Sequence, residues 1–222
     1  MLRLQVTADA SGAATAGARG DVTVIVDVID MSTTAEALWD EGVCGIWGAA
    51  IAGSRSPVPV NPEQIGFLAG QTALSNGCGV IVITEPRVAT LEERLRLSAP
   101  ALAGLKRAGI EPEGVYPNLG AETIKQFQAA NRIGLLVTDT GGTAFDAAIQ
   151  AGASAVTTAT IARTRLKRGI DPARAGVTRA INMAKKSGSG ITFVAASANS
   201  WEDVLAAEYL ANMCLSEFAG EL

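Results

Sequence analysis

Asp27, Asp30 and the hydroxyl run Ser32-Thr33-Thr34 follow one apolar stretch, Val22-Thr23-Val24-Ile25-Val26, in the segment Asp21 to Thr34. The β-branched residues predict a buried strand. The Ala- and Leu-rich run from Ala35 to Trp39 predicts a helix that begins at once. Asp27 and Asp30 then stand at the carboxyl end of a strand, where ligand sites of parallel α/β sheets lie. A helix N-terminus there offers unpaired N–H groups and a positive dipole end to an anion. Carboxylates beside an anion site gain a purpose when a cation joins them, and Mg²⁺ is the usual one. A carboxylate within an apolar strand is costly unless paired, hydrogen-bonded or metal-bound, which singles out Asp27. The chemistry expected at this junction is phosphate handling with a divalent metal.

Two further junctions have the same character. Leu135-Leu136-Val137 runs into Thr138-Asp139-Thr140-Gly141-Gly142-Thr143 and then a helical pattern from Ala144. The paired glycines would let the backbone approach a ligand closely and cradle a phosphate; a plain glycine turn capped by Thr143 would look the same. Ile191-Thr192-Phe193-Val194-Ala195 ends in Ala196-Ser197-Ala198-Asn199-Ser200-Trp201-Glu202-Asp203. Here Ser200 would cap the last helix, with Glu202 and Asp203 in its first turn, a placement the helix dipole favours in any protein. Three polar strand ends brought to one edge of a single sheet are expected to form a site. Basic groups for a substrate anion are less well marked: Lys106-Arg107, and Arg163, Arg165, Lys167 and Arg168.

Composition removes whole classes of chemistry. The chain has no histidine among its 222 residues. Ser-His-Asp and Cys-His nucleophile systems, phosphohistidine and His-ligated zinc are therefore excluded. A metal must sit among oxygen ligands, which suit Mg²⁺, Mn²⁺ or Ca²⁺. A net charge of −4 argues against nucleic acid as a partner. Cys44, Cys78 and Cys214 are far apart and lack metal-ligand spacing, so all three are expected as small buried hydrophobes in a reducing cytosol. No apolar run reaches about 18 residues, and the N-terminus lacks a signal-peptide pattern. The expectation is a cytoplasmic protein without a membrane span.

The elements that must position these residues alternate. Beyond the opening strand, strand-like runs fall at Val43–Trp47, Val80–Thr84, Gly134–Thr138, Ala155–Thr158 and Ile191–Ala195, with a short first strand possible at Leu2–Thr7. Helical patterns fall at Thr33–Glu41, Pro62–Ser75, Leu91–Ala108, Ala121–Asn131, Thr143–Ala151, Pro172–Ser187 and Trp201–Phe218. Asn61 and Asp171 precede prolines and would cap the helices that start there. Ala8–Gly20, Gly53–Pro59 and the stretch from Gly109 to Gly114 are expected to be irregular. The fold class is α/β, with a mostly parallel or mixed sheet between helices on both faces.

Taken together, the three junctions resemble the 2-phosphosulfolactate phosphatase family, Mg²⁺-dependent enzymes linked to coenzyme M synthesis. The family's Asp-Val-Leu-Arg-Ala-Thr-Ser-Thr type motif is similar to Asp27 through Thr34 here. Its Thr-Thr-Thr-Asn-Gly-Thr motif is similar to Thr138 through Thr143, and its Ser-Leu-Glu-Asp to Ser200 through Asp203. The order and spacing agree over roughly residues 21 to 215. The chain departs where the family's first-motif Arg is Asp30 and its central Asn is Gly141. The family's Gly-Glu-Arg-Gly-Gly segment has only a faint echo in Leu105 through Gly109. The resemblance implies one α/β domain over residues 1–222, with two lobes as a variant, and hydrolysis of a small anionic phosphate ester. Asp27, Glu202 and Asp203 would organise Mg²⁺. Ser32, Thr33, Thr34, Thr140, Gly141, Gly142, Thr143 and Ser200 would hold the substrate, while Asp139 or Asp30 orients a water or serves as an extra metal ligand. Two other classes compete: a diverged binding protein on the same scaffold, and a transferase, since Thr-Gly-Gly-Thr after a strand and an acid also resembles a phosphoribosyltransferase loop. A homodimer is the default assembly.

Overall fold

The computed structural model describes residues 3–219. The chain opens with β1 (Leu4–Ala8), α1 (Asp9–Ala18) and β2 (Val22–Val26). It continues through α2 (Met31–Asp40), β3 (Gly45–Ala49), α3 (Pro62–Asn76), β4 (Gly79–Thr84), α4 (Leu91–Arg107) and β5 (Gly114–Pro117). A 3-10 helix at Gly120–Gln126 precedes β6 (Arg132–Val137). The last elements are α5 (Gly141–Ala151), β7 (Ala155–Thr158), α6 (Asp171–Ser187), β8 (Ile191–Ala195) and α7 (Trp201–Ala219).

The α/β class is as expected, but the single sheet becomes two. Both are parallel and four-stranded, in the orders β1-β8-β2-β7 and β3-β6-β4-β5. The strand residues explain the layering. Successive side chains of a strand point to opposite faces, and here both faces are apolar. Val22, Val24 and Val26 pack outward with Val177, Ala180, Ala206 and Leu210 of α6 and α7, while Ile25 points the other way. In the second sheet Val80 and Val82 pack outward with Ile65, Ala69 and Leu105 of α3 and α4, while Ile81 and Ile83 turn inward. The inward faces of both sheets share one core with Met31, Leu38, Ala144, Phe145 and Ala13 of α2, α5 and α1. The molecule is thus helix, sheet, helix, sheet, helix. The chain crosses between sheets twice, through α2 (from β2 to β3) and through α5 (from β6 to β7).

Several local expectations need correction. Residues 8–20 are not irregular, because α1 occupies most of them. After Asp9 this helix is built of Ala, Gly, Ser and Thr, and it packs on α5 so closely that a Cβ on Gly17 would lie 2.4 Å from the Ala148 carbonyl oxygen. The helix expected at Ala121–Asn131 is a 3-10 turn ending at Gln126. The loop expected at Gly109–Gly114 gives way at Gly114 to an edge strand, β5, which was not among the expected strands. The first strand begins at Leu4; Leu2 lies outside the described residues. Asn61 caps α3, its Oδ1 accepting from Gln64 N–H at 3.0 Å. Asp171 is the first residue of α6 rather than its cap, and no side chain caps that helix. Cys44 and Cys78, the residues just before β3 and β4, are joined by a disulfide, so only the free, buried Cys214 fits the expectation for all three. The pairing also removes the cysteine argument for a reducing compartment. Among the described residues no helix is long and apolar enough to cross a membrane.

Candidate functional site

The carboxyl ends of both sheets converge, and the two crossover helices begin there. β2 ends at Val26, and the chain turns through Asp27 into α2. Ser32 locks this turn: its Oγ accepts from Asp27 N–H and donates to the Ile25 carbonyl, both at 2.9 Å. Its own N–H donates to the Asp27 carbonyl at 2.9 Å. Thr33 Oγ1 donates to the Val28 carbonyl and lies 3.0 Å from Thr160 Oγ1, while Thr34 donates to Asn118 Oδ1. All three hydroxyls are buried and engaged inside the fold. They shape the turn and do not face open solvent.

Asp27 carries the turn's carboxylate to the other crossover helix. Its Oδ2 accepts from Gly141 N–H at 3.0 Å and from Thr140 Oγ1 at 3.2 Å, at the start of α5. Its Oδ1 accepts from Asp30 N–H at 3.3 Å. The side chain is almost fully buried, at 3% exposure. Burial first, then the negative charges of Asp203 and Asp30, push it up to about 7. Gly141 is what allows this approach, because a Cβ there would lie 2.4 Å from Asp27 Oδ2 and 2.8 Å from Met31 Cβ. Gly142 N–H donates to Thr138 Oγ1 at 2.6 Å. The amides of both glycines therefore serve the fold, and the face that α5 offers a ligand is made of side chains.

Those side chains line a cleft of about 400 Å³ in front of Thr140. Asp139, Thr140 and Thr143 come from the start of α5, and Asp9 and Ser197 from the ends of β1 and β8. Ser54, Arg55 and Ser56 come from the loop after β3. That loop is held against α5 by Ser54 Oγ, 3.1 Å from Thr143 Oγ1, and by Asp146 Oδ1, which accepts from Asn61 N–H at 2.8 Å. Burial, in the face of these hydrogen bonds, pushes Asp146 up to about 6. Arg55 is exposed at the cleft, and among the described residues no ion pair engages it. Asp27 lies one hydrogen bond behind the cleft wall, through Thr140. None of Lys106, Arg107, Arg163, Arg165, Lys167 or Arg168 lines it; Arg107 pairs with Glu63, and Lys167 with Asp40.

A fourth polar strand end, after β4, was not anticipated. Glu85 accepts from Asp139 N–H at 3.2 Å and from the Asn118 amide at 3.3 Å. Burial first, then the charge of Asp30, push it up to about 7. Two residues on, Arg87 pairs with Asp30 at 2.7 Å and donates to the Ile29 carbonyl at 2.6 Å. A guanidinium thus stands beside Asp30. The signal was present as Glu85-Pro86-Arg87 directly after the Val80–Thr84 strand, but it lacks the hydroxyls that marked the other junctions.

At the third junction, Ser200 caps α7 as expected, its Oγ accepting from Asp203 N–H at 3.3 Å. Asp203 is buried and accepts from Val28 N–H at 2.8 Å, which fastens α7 to the turn that carries Asp27. Burial raises its carboxyl above the usual range. Glu202 is exposed. Of the anticipated metal ligands the structure therefore brings Asp27 and Asp203 together and leaves Glu202 at the surface. Among the described residues no three Asp, Glu, Cys or His side chains are grouped to hold a metal ion. The oxygen-only pair suits Mg²⁺, which keeps several waters and uses one or two carboxylates together with substrate phosphates. Burial is the main cause of the rise at Asp27, and a cation would relieve the smaller part that comes from the charges of Asp203 and Asp30. Compared with protein-family models, with curated proteins and with solved structures, the chain has no match.

Proposed function

We propose that the protein is an Mg²⁺-dependent phosphatase of small anionic phosphate esters, the activity implied by its motif resemblance to 2-phosphosulfolactate phosphatase. One observation carries this proposal: helix α5 begins at a cleft that presents Arg55 and several hydroxyls, with the buried Asp27 carboxylate directly behind its first turn. The positive end of the helix dipole and the Arg55 guanidinium favour a phosphate at Thr140 and Thr143. Asp139, exposed at the same cleft, is the carboxylate able to orient an attacking water; Asp30 is engaged by Arg87. Asp27, with Asp203 beside it, would hold Mg²⁺, which supplies charge neutralisation to the phosphoryl group. The 400 Å³ volume limits the substrate to a small molecule.

Release of inorganic phosphate from a panel of small phosphate esters, with and without Mg²⁺, tests the proposal. Metal-dependent turnover is the expected result, with Arg55→Ala raising KM by about tenfold through loss of a charge-assisted contact. A second reading has its own support: Ser32, Thr33 and Thr34 are turned into the fold and Asp30 stands where the resemblance would have an arginine. These features favour an anion-binding protein without turnover. Ester binding that Arg55→Ala weakens, with no hydrolysis under any condition, would establish that reading instead.

A further inference from the structure

Outside the cleft, α7 presents an exposed apolar stripe. Trp201, Leu205 and Tyr209 recur every four residues along its outer face, so they form one stripe, and Trp201 and Leu205 are 73% and 54% exposed. The stripe continues onto the loop between β7 and α6, where Tyr209 borders a hollow of about 250 Å³ with Ile161 and Ile170. With Leu166 of the same loop, also exposed, these side chains present roughly 600 Å² of apolar surface, at the upper end of what a monomer carries.

The flanking charges say what covers this surface. Along the exposed face of α7 stand Glu202 and Glu208, and the helix has no basic residue. Residues 159–170 carry Arg163, Arg165, Lys167 and Arg168 and no acidic residue; Arg165 and Lys167 pair with Glu41 and Asp40 of this chain, which leaves Arg163 and Arg168 for a partner. Among the described residues, Arg163, Arg168, Glu202 and Glu208 form no ion pair within the chain. An apolar stripe with an acidic flank and a basic flank is complementary to itself under a two-fold rotation: each copy's acidic helix meets the other's basic loop. Such self-complementarity is the condition for an isologous interface. The apolar area plus its charged rim approaches the roughly 800 Å² per partner of a stable complex.

We propose that α7 and the β7–α6 loop form a two-fold interface with a second copy of this chain. Sedimentation velocity of the full chain over a dilution series tests it, with circular dichroism as the check on folding. A dimer is expected for the wild-type protein. Leu205→Arg and Tyr209→Asp, at exposed positions that leave the core intact, should each weaken it by about tenfold or more. Leu74→Arg, an equally exposed position on α3, should leave it unchanged. Glu208→Lys should weaken the dimer, and adding Arg163→Glu and Arg168→Glu to that variant should restore part of the loss. A monomer at every concentration, or a dimer indifferent to Leu205→Arg and Tyr209→Asp, would overturn the proposal. So would disruption by the apolar variants without any recovery in the charge-swapped protein, since the two-fold pairing of flanks would then be wrong.

Discussion

Asp27 sits between two demands. The fold uses its oxygens to tie the start of α2 to the start of α5, and the neighbouring Asp203 and Asp30 make its charge costly. Its pKa, about 7 in the folded protein against 3.8 for the free side chain, has a consequence of definite sign. Between those values the folded state holds a proton that the unfolded chain has lost, so stability falls as pH rises and the loss is complete once pH passes the folded value. The slope is at most about 1.4 kcal/mol per pH unit for one such group. Glu85 acts in the same direction up to about 7, and Asp146 up to about 6. Asp21, whose carboxyl is held low by Arg3, Thr192 and Arg19 against the effect of burial, acts in the opposite sense, but only in more acidic solution. The melting temperature of the metal-free protein is therefore expected to drop from about pH 5 to about pH 7.5. Asp27→Asn should flatten part of that drop, and Mg²⁺ should raise the melting temperature of wild-type protein at the upper pH while leaving the variant unmoved. An identical pH slope in both proteins would show that Asp27 is not the titrating group. A wild-type melting temperature indifferent to Mg²⁺ would remove the metal from the account.

At the scale of elements, the decisive contact is the start of α5 against the turn before α2. Gly141→Ala places a methyl 2.4 Å from Asp27 Oδ2 and 2.8 Å from Met31 Cβ, so one of the two helices must shift. The expected cost is about 1–3 kcal/mol of stability, together with loss of Mg²⁺-dependent phosphate binding, because the carboxylate that would hold the metal is pushed off the helix start. Chemical denaturation and phosphate titration of the same variant check both halves. A variant as stable and as competent as wild type would mean that the two starts are not rigidly coupled. The sequence marked the turn at Asp27, the glycine junction and the Ser200 cap, since each combines an apolar run with a change in residue type. Helix α1 escaped notice because its residues are nearly all small, with no large apolar side chain to mark a buried face. Its role is close approach to α5, for which small size is the requirement. Strand β5 escaped because it is a four-residue edge strand ending in proline.

Over the whole molecule, the α/β class followed from alternation, whereas the division into two sheets did not. Every inner strand of either sheet is apolar on both faces, so nothing in a single strand says which neighbours it takes. The pairing emerges only when α2 and α5 carry the chain from one sheet to the other and back. The same arrangement explains the parts of the site that were missed. Glu85 and Arg87 belong to the sheet opposite Asp27 and come near it only because both sheets direct their carboxyl ends to one place. Cys44 and Cys78, 34 residues apart, are joined because they lead into β3 and β4, the two strands that flank β6. Asp27 stands where the sheets meet, and the proposed activity rests on it. The most direct measurement is the Mg²⁺-dependent kcat and KM of wild-type protein and of Asp27→Asn on the same phosphate ester, with Glu202→Gln beside them. The account predicts that Asp27→Asn lowers kcat by about a hundredfold or more with KM changed only a few-fold, while the exposed Glu202 can be replaced with little effect. Equal kcat for wild type and Asp27→Asn would contradict it.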